Sequence, residues 1–309
     1  MRFLDVKTDF AFKKVFGSQE SENILISFLN SVLEFGHARQ ITALTIVDPY
    51  NIPMLKGMKD TYVDVKAKLN DGTLVIIEMQ VLSCQGFEQR VLYNAAKNYS
   101  LQLQPGDDYT LLNPVIALTL TDFVMFADDS LRHCFKLLEK DFFIEYSDDI
   151  ELVFIELPKF IKTLEQLETE QDKWLFFIKN AGRLEAVPGN LDVELQRAFQ
   201  IVNEANMTQA ELELQHRKHD WIAVQRGAYN LALQQGLEKG IQQGLEEGIQ
   251  KGLEEGIQQG IDHAKHEIIL RGYQAGLTFS VLATLSGLSE TEIAAMIQTQ
   301  TEFPHHNSP

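Results

Sequence analysis

Cysteine is scarce in this chain, and so is positive charge. Of 309 residues only Cys84 and Cys134 are cysteine, which excludes a disulfide framework and a four-cysteine zinc site and fits a reducing compartment. Lys and Arg number 27 against 44 Asp and Glu, a net charge of −17, so broad affinity for a polyanion has no electrostatic basis. No apolar run approaches the ~20 residues that span a bilayer. The opening MRFLDVKTDFAFKKVFG scatters charges where a secretory leader would be apolar, so the expectation is a cytoplasmic protein with no membrane segment. There is also no phosphate-cradling glycine loop, no Ser/His/Asp arrangement and no zinc-ligand spacing; His133 and Cys134 read as structural. What is present, 45% hydrophobic and 23% charged residues, is the composition of a folded globular chain.

The charge is unevenly placed. Residues 1–100 hold 11 basic and 11 acidic side chains, so the acidic excess lies wholly beyond them and a local polyanion site remains open at the front. Thr8 is a suitable N-cap for a helix through Phe10, Phe12 and Phe16, with Asp9 in its first turn. Ile24, Leu25, Phe28, Leu29, Val32 and Leu33 follow at helical spacing, and the stretch DPYNIPMLKG reads as a loop. Val63, Val65, Ala67 and Leu69 alternate with charged residues as a strand. Asn70-Asp71-Gly72 is a turn, and residues 73–81 are a second, apolar strand. Helical period returns over 86–103, strands are expected in 111–126 and 151–157, and a helix in 163–180. Pro188-Gly189 marks the expected end of the globular domain, 1–190.

Two acidic groups stand where this strand pair is expected to be apolar. A three-residue loop pairs Leu69 with Thr73 and, counting back, Asp64 with Glu78, with Cβ atoms about 4.5–5.5 Å apart. Like charges at that distance call for a proton or a cation between them, and a hard divalent ion such as Mg²⁺ suits one or two carboxylates plus water. Gln80 lies on the Glu78 face and is placed to orient a water, an arrangement suited to metal-assisted phosphodiester hydrolysis. The other reading leaves Asp64 solvent-facing on a half-exposed strand with Glu78 marking the strand's end, and a two-residue Asp71-Gly72 turn would set Glu78 opposite Val65. Arg90, Tyr93 and Lys97 fall at i, i+3 and i+7 of the following helix, either a stripe for a nucleic-acid backbone or a solvated face.

Taken together, TDFAFKKVFG, DPYN, KDTYVDVKAKLNDGTLVIIEMQ, FEQRVLYNAAKNYSLQL, ELPKF and DKWLFFIKNA resemble the recombination-promoting nuclease / putative transposase family, a branch of the PD-(D/E)XK nuclease superfamily. The resemblance spans roughly residues 1–190. It implies an α/β, restriction-endonuclease-like core with a central mixed sheet flanked by helices, and Mg²⁺-dependent (or Mn²⁺-dependent) DNA cleavage. The superfamily's metal-binding Asp falls on Asp64 and its second acidic ligand on Glu78. The Lys of its E-x-K pattern falls on Gln80, which brings dipoles in place of a charge. The resemblance also brings the first helix to the site, with Asp9 as an extra ligand and Lys13 and Lys14 as phosphate contacts. The other reading of Asp9 is a surface pair with Lys13 at i, i+4.

Beyond a helical connector over 191–235, glycine recurs every fourth residue from Gly236 to Gly260, each followed by Leu or Ile. Seven glycines cost a helix roughly 7 kcal/mol relative to Ala, so the arm over 236–262 should not stand alone in water. A four-residue period favours right-handed winding about a partner, and self-association is the reading preferred over a frayed spacer. Thr208 and Glu211 form a capping box ahead of this run. Thr278 as an N-cap, Gly287 as a stop and a second capping box at Ser289 and Glu292 divide 263–301 into a small helix-turn-helix-like module. Its second helix lacks Arg and Lys, which argues against DNA reading, and 302–309 is expected to be a disordered tail. The function expected is a metal-dependent DNA endonuclease. The alternatives are a non-catalytic interaction protein with a degenerate core, and a transposase that joins strands.

Overall fold

The computed structural model describes residues 2–33, 35, 40–51 and 61–301. The chain opens with α1 (Asp9–Phe16) and α2 (Glu22–Val32), then β1 (Leu44–Val47) and a two-residue pair, β2 (Tyr50–Asn51) with β3 (Thr61–Tyr62). A hairpin of β4 (Val65–Leu69) and β5 (Leu74–Gln80) leads to α3 (Phe87–Ser100) and β6 (Val115–Thr121). A second hairpin, β7 (Arg132–Leu138) and β8 (Glu145–Glu156), precedes α4 (Glu170–Asn180) and α5 (Val193–Ile201). The helix α6 (Gln209–Gln274), 66 residues long, is followed by α7 (Phe279–Ser286) and α8 (Glu290–Thr301). Residues 52–57 of the expected loop and the tail 302–309 lie outside the described residues.

Six strands form one mixed sheet in the order β1-β4-β5-β6-β8-β7. The β5-β6 and β6-β8 pairs at its centre are parallel, and the pairs toward both edges are antiparallel. Strand alternation gives each face its own core. Val75, Ile77 and Met79 of β5 pack with α1, α2, α4 and α5, whereas Ile76 packs with Phe87, Val91 and Ala95 of α3. Complete burial of Phe12, Phe16, Phe28, Trp174, Phe177 and Phe199 anchors the larger core, each ring worth about 1.5–3 kcal/mol by area alone. The Trp174 indole donates to Ser27 at 3.1 Å, so its polar edge is satisfied too.

Several expectations require correction. The globular core does not end at Pro188-Gly189: Leu195, Ala198 and Phe199 of α5 are buried in it, and Phe3 bridges to Asn203. The compact units are Met1–Ala228 and Tyr229–Pro309. The expected connector 191–235 is in fact α5, a 3₁₀ turn and the front of α6. In the second unit Ile269, Leu282, Ile293 and Ile297 form a small core of their own. Both capping boxes are made: Thr208 with Glu211, and Ser289 with Glu292. Gly287 ends α7 at φ 72, although Thr278 caps it without a side-chain bond.

Candidate active site

The β4-β5 turn forms as the sequence predicts. Leu69 N–H donates to Thr73 O at 2.9 Å, Gly72 adopts φ 92, and Val65 pairs with Ile77. The ladder then stops one residue short of the expected Asp64–Glu78 pair. Asp64 N–H donates to Ile77 O at 3.1 Å, so Asp64 and Val65 both face Ile77, the two-against-one arrangement of a β-bulge. Val63 and Val65, two residues apart, accordingly pack on opposite faces of the sheet, which regular pleating forbids. The Met79 N–H that would have continued the ladder is taken by the Asp64 carboxylate at 2.8 Å. Asp64 is thereby re-aimed toward α1, while Glu78 stays on the α3 side. Direct cross-strand opposition of the two carboxylates is not what brings them to one site.

Lys13 bridges Asp64 to Asp9 instead. Its ammonium lies 2.6 Å from Asp9 and 3.3 Å from Asp64, and its charge also acts on Glu78. Thr8, whose hydroxyl accepts from Ala11 N–H, starts α1 so that Asp9 and Lys13 fall one turn apart on this face. The i, i+4 pair and the approach of α1 to the site are therefore both present. Burial pushes the Asp64 carboxyl up to about 7; the Met79 N–H and Lys13 oppose the rise, and the hydrogen-bonded Asp9 adds to it. Burial likewise raises Glu78 against the pull of Arg90 and Lys13. Asp9 moves the other way: burial acts to raise it, but the bonds from Lys13 and Asp64 outweigh that and hold it below the usual range. Burial would lower Lys13, yet Asp9 and Asp64 together raise it.

The Arg90 guanidinium bridges the E-x-Q pattern, 2.5 Å from Glu78 Oε1 and 2.8 Å from Gln80 Oε1. The positive charge missing at Gln80 is thus delivered from α3. Gln80 is not placed as expected for orienting a water: its carbonyl accepts from Arg90 and its amide donates to Leu82 O at 2.7 Å. The stripe on α3 needs the same correction. Tyr93 is 39% exposed, but Lys97 is 2% exposed and offers a nucleic acid no surface cation. Lys14 forms an ion pair with Glu211 of α6, a contact invisible to local spacing because almost 200 residues separate the partners.

Among the described residues no three His, Cys, Asp or Glu side chains converge as a ready metal cluster. The donor set nevertheless suits a hard divalent ion. Asp64 and Glu78 supply carboxylate oxygens, each now answered by a side-chain cation, Lys13 for Asp64 and Arg90 for Glu78. A dication on these oxygens would offset the burial penalty that raises the Asp64 carboxyl.

A six-stranded mixed sheet with carboxylates at the bulged end of a hairpin, between α1 and α3, defines an α/β domain with an acidic site at one sheet end. Residues 6–226 match the model of the PD-(D/E)XK nuclease family transposases, and the chain belongs to that family. The match runs past α5 into α6, in keeping with the compact unit. Comparison with curated proteins and with solved structures finds no significant match. Family membership suggests nuclease-type activity on DNA and use of a divalent ion. Among the described residues no helix is long and apolar enough to cross a membrane.

Proposed function

We propose that the chain is a metal-dependent DNA endonuclease of the cytoplasm that hydrolyses phosphodiester bonds in the course of DNA recombination. The observation that carries this reading is the Lys13 ammonium bridging Asp9 and Asp64 while Arg90 answers Glu78, carboxylates held by side-chain cations at one end of the β4-β5 hairpin. When bound by Asp64 and Glu78, with Asp9 as a third oxygen donor, Mg²⁺ or Mn²⁺ supplies Lewis-acid polarisation of the phosphodiester. Lys13, freed from the carboxylates, contacts phosphate oxygens. Gln80 orients Arg90, which meets the charge developing at phosphorus. Tyr93 contacts the nucleic acid from the exposed side of α3, and Lys14, tied to Glu211, holds α1 in place.

The arm brings copies together. Leu237, Ile241, Leu245, Ile249, Leu253 and Ile257 are all more than half exposed, and among the described residues nothing beyond the chain neighbours and the local helix backbone lies within 4 Å of a Cβ placed on any of the seven tetrad glycines. Gln–Glu and Gln–Asp bonds at i, i+4, such as Gln242–Glu246 and Gln250–Glu254, add about 0.2–0.5 kcal/mol each, far below the glycine cost. A second copy wound on the stripe offsets the rest.

Nicking of supercoiled plasmid with Mg²⁺ or Mn²⁺ tests the catalytic reading. Cleavage should require the ion and disappear in Asp64→Ala; equal cleavage by parent and variant would remove Asp64 from the mechanism. The exposed apolar stripe favours a second reading, a non-catalytic interaction protein with a degenerate core. A homogeneous protein that self-associates but does not cleave under either ion would establish it. A substrate carrying a free 3′-hydroxyl separates hydrolysis from strand transfer.

A further inference from the structure

Behind the carboxylate site lies a cavity of about 520 Å³ within the first unit, lined by the amino-terminal segment, the end of α4 and the front of α6. It adjoins the site through the chain. Val81 follows Gln80, Asp122 N–H donates to Gln80 O at 2.9 Å, and Thr8 caps the helix that carries Asp9. Its floor is built from buried polar groups: the Thr8 hydroxyl donates to Gln215 at 2.7 Å, and the Lys7 ammonium lies 2.9 Å from Asp5 and donates to Lys179 O.

The lining carries Lys7, Lys179, Arg183 and Arg226 against Asp5, Asp122 and Glu204, one cation in excess in a protein whose net charge is −17. Lys7 is spent on Asp5, and Arg226 on Asp122. Among the described residues Lys179 and Arg183 form no ion pair with a carboxylate, and Glu204 is the remaining acidic group of the lining. Lys179 Nζ donates to Phe160 O and Pro158 O. Burial lowers its pKa, Asp122 opposes this, and Arg183 and Lys7 lower it further by repulsion. His216 and His219 face the same space from α6, and Ile222 with Ala223 provide an apolar wall. With those two pairs set aside, Lys179 and Arg183 share the space with Glu204 alone, and two such cations beside an apolar wall in a volume of this size form a seat for a small anionic ligand.

We propose that this cavity binds a nucleotide-sized phosphate monoester, with Lys179 and Arg183 as its principal charge partners and His216 and His219 as further donors. Two sources share that chemistry, a free mononucleotide and the phosphorylated end of a DNA strand. Binding goes beyond the endonuclease reading and does not require catalysis, so the two fail separately.

Calorimetric titration of the full chain, without metal, decides the matter. Probes are deoxythymidine 5′-monophosphate, deoxythymidine, inorganic phosphate, and a short single strand with either a 5′-phosphate or a 5′-hydroxyl. A phosphorylated probe should bind at least about tenfold tighter than its unphosphorylated form, and Arg183→Gln should weaken it about tenfold, the loss of one charge-assisted contact. Arg183 is exposed, so this variant folds; Lys179→Gln, with folding checked by circular dichroism, should weaken binding as well. Tighter binding of the mononucleotide than of the phosphorylated strand identifies a free nucleotide, and the reverse order identifies a strand end. The proposal is overturned if phosphorylated and unphosphorylated probes bind alike or none binds. It also falls if inorganic phosphate matches the nucleotide, or if Arg183→Gln leaves affinity unchanged.

Discussion

Replacing Asp64 with Asn separates the burial of a charge from the geometry that buries it. The carboxyl titrates near 3.8 when unfolded and near 7 in the fold, raised first by burial. The folded protein therefore holds an extra proton between those values, and its stability falls as pH rises through that window and is level above it. About three pH units correspond to an upper bound of roughly 4 kcal/mol; loss of the Lys13 contact in the variant brings the expected gain to about 2 kcal/mol. At pH 4 the carboxyl is neutral in the fold, and Asn, which keeps an acceptor for Met79 N–H, should change little. At pH 8 in the presence of chelator Asp64→Asn should be more stable than the parent. Urea unfolding followed by the fluorescence of the fully buried Trp174 measures both. Mg²⁺ at a hundredfold over its dissociation constant should then add about 2.7 kcal/mol to the parent and little to the variant. Parallel pH profiles, or a variant less stable than the parent at pH 8, would refute the account of a strained carboxylate awaiting a dication.

Three further outcomes follow. Arg90→Ala strands Glu78 and should cost about 3 kcal/mol, read from the same unfolding curves, with activity lost even where the fold survives. Gly72→Ala drives its Cβ into Asn113 Oδ1 at a position with φ +92, so a loss of about 1–3 kcal/mol is expected; a neutral result would contradict the hairpin that sets the whole site. Gly244→Ala with Gly252→Ala should gain about 1 kcal/mol of helix propensity each, seen as higher helicity, while lowering association in sedimentation. Unchanged association would show that the glycine stripe is not the contact.

The hairpin was legible because Asn70-Asp71-Gly72 allows few turns and the alternation on either side fixes register. The bulge was not, since nothing in VDVKAKL marks an Asp side chain as taking the place of a backbone carbonyl for Met79. Arg90 was recognised on its helix, but its partners lie across the sheet edge, where periodicity carries no information. The β7-β8 hairpin went unread because its turn places Phe143 at φ 55, a residue type that announces no turn. Leu44–Val47 is only four residues long, too short to show a period. Pro188-Gly189 looked terminal although the chain needs α5 to cover Phe177 and Phe3; ring contacts of Phe199 with both are long-range facts.

The grip of α6 on the residues flanking Asp9 has a practical corollary. Gln215 accepts from the Thr8 hydroxyl and Glu211 pairs with Lys14, so both ends of the segment bearing Asp9 and Lys13 are fastened by a helix that begins some two hundred residues later. Shortened versions of the protein that stop before Gln209 would retain Asp9, Asp64 and Glu78 yet release the splint that keeps them in register. An inert fragment of that kind would report a missing clamp and say nothing about the chemistry of the intact molecule.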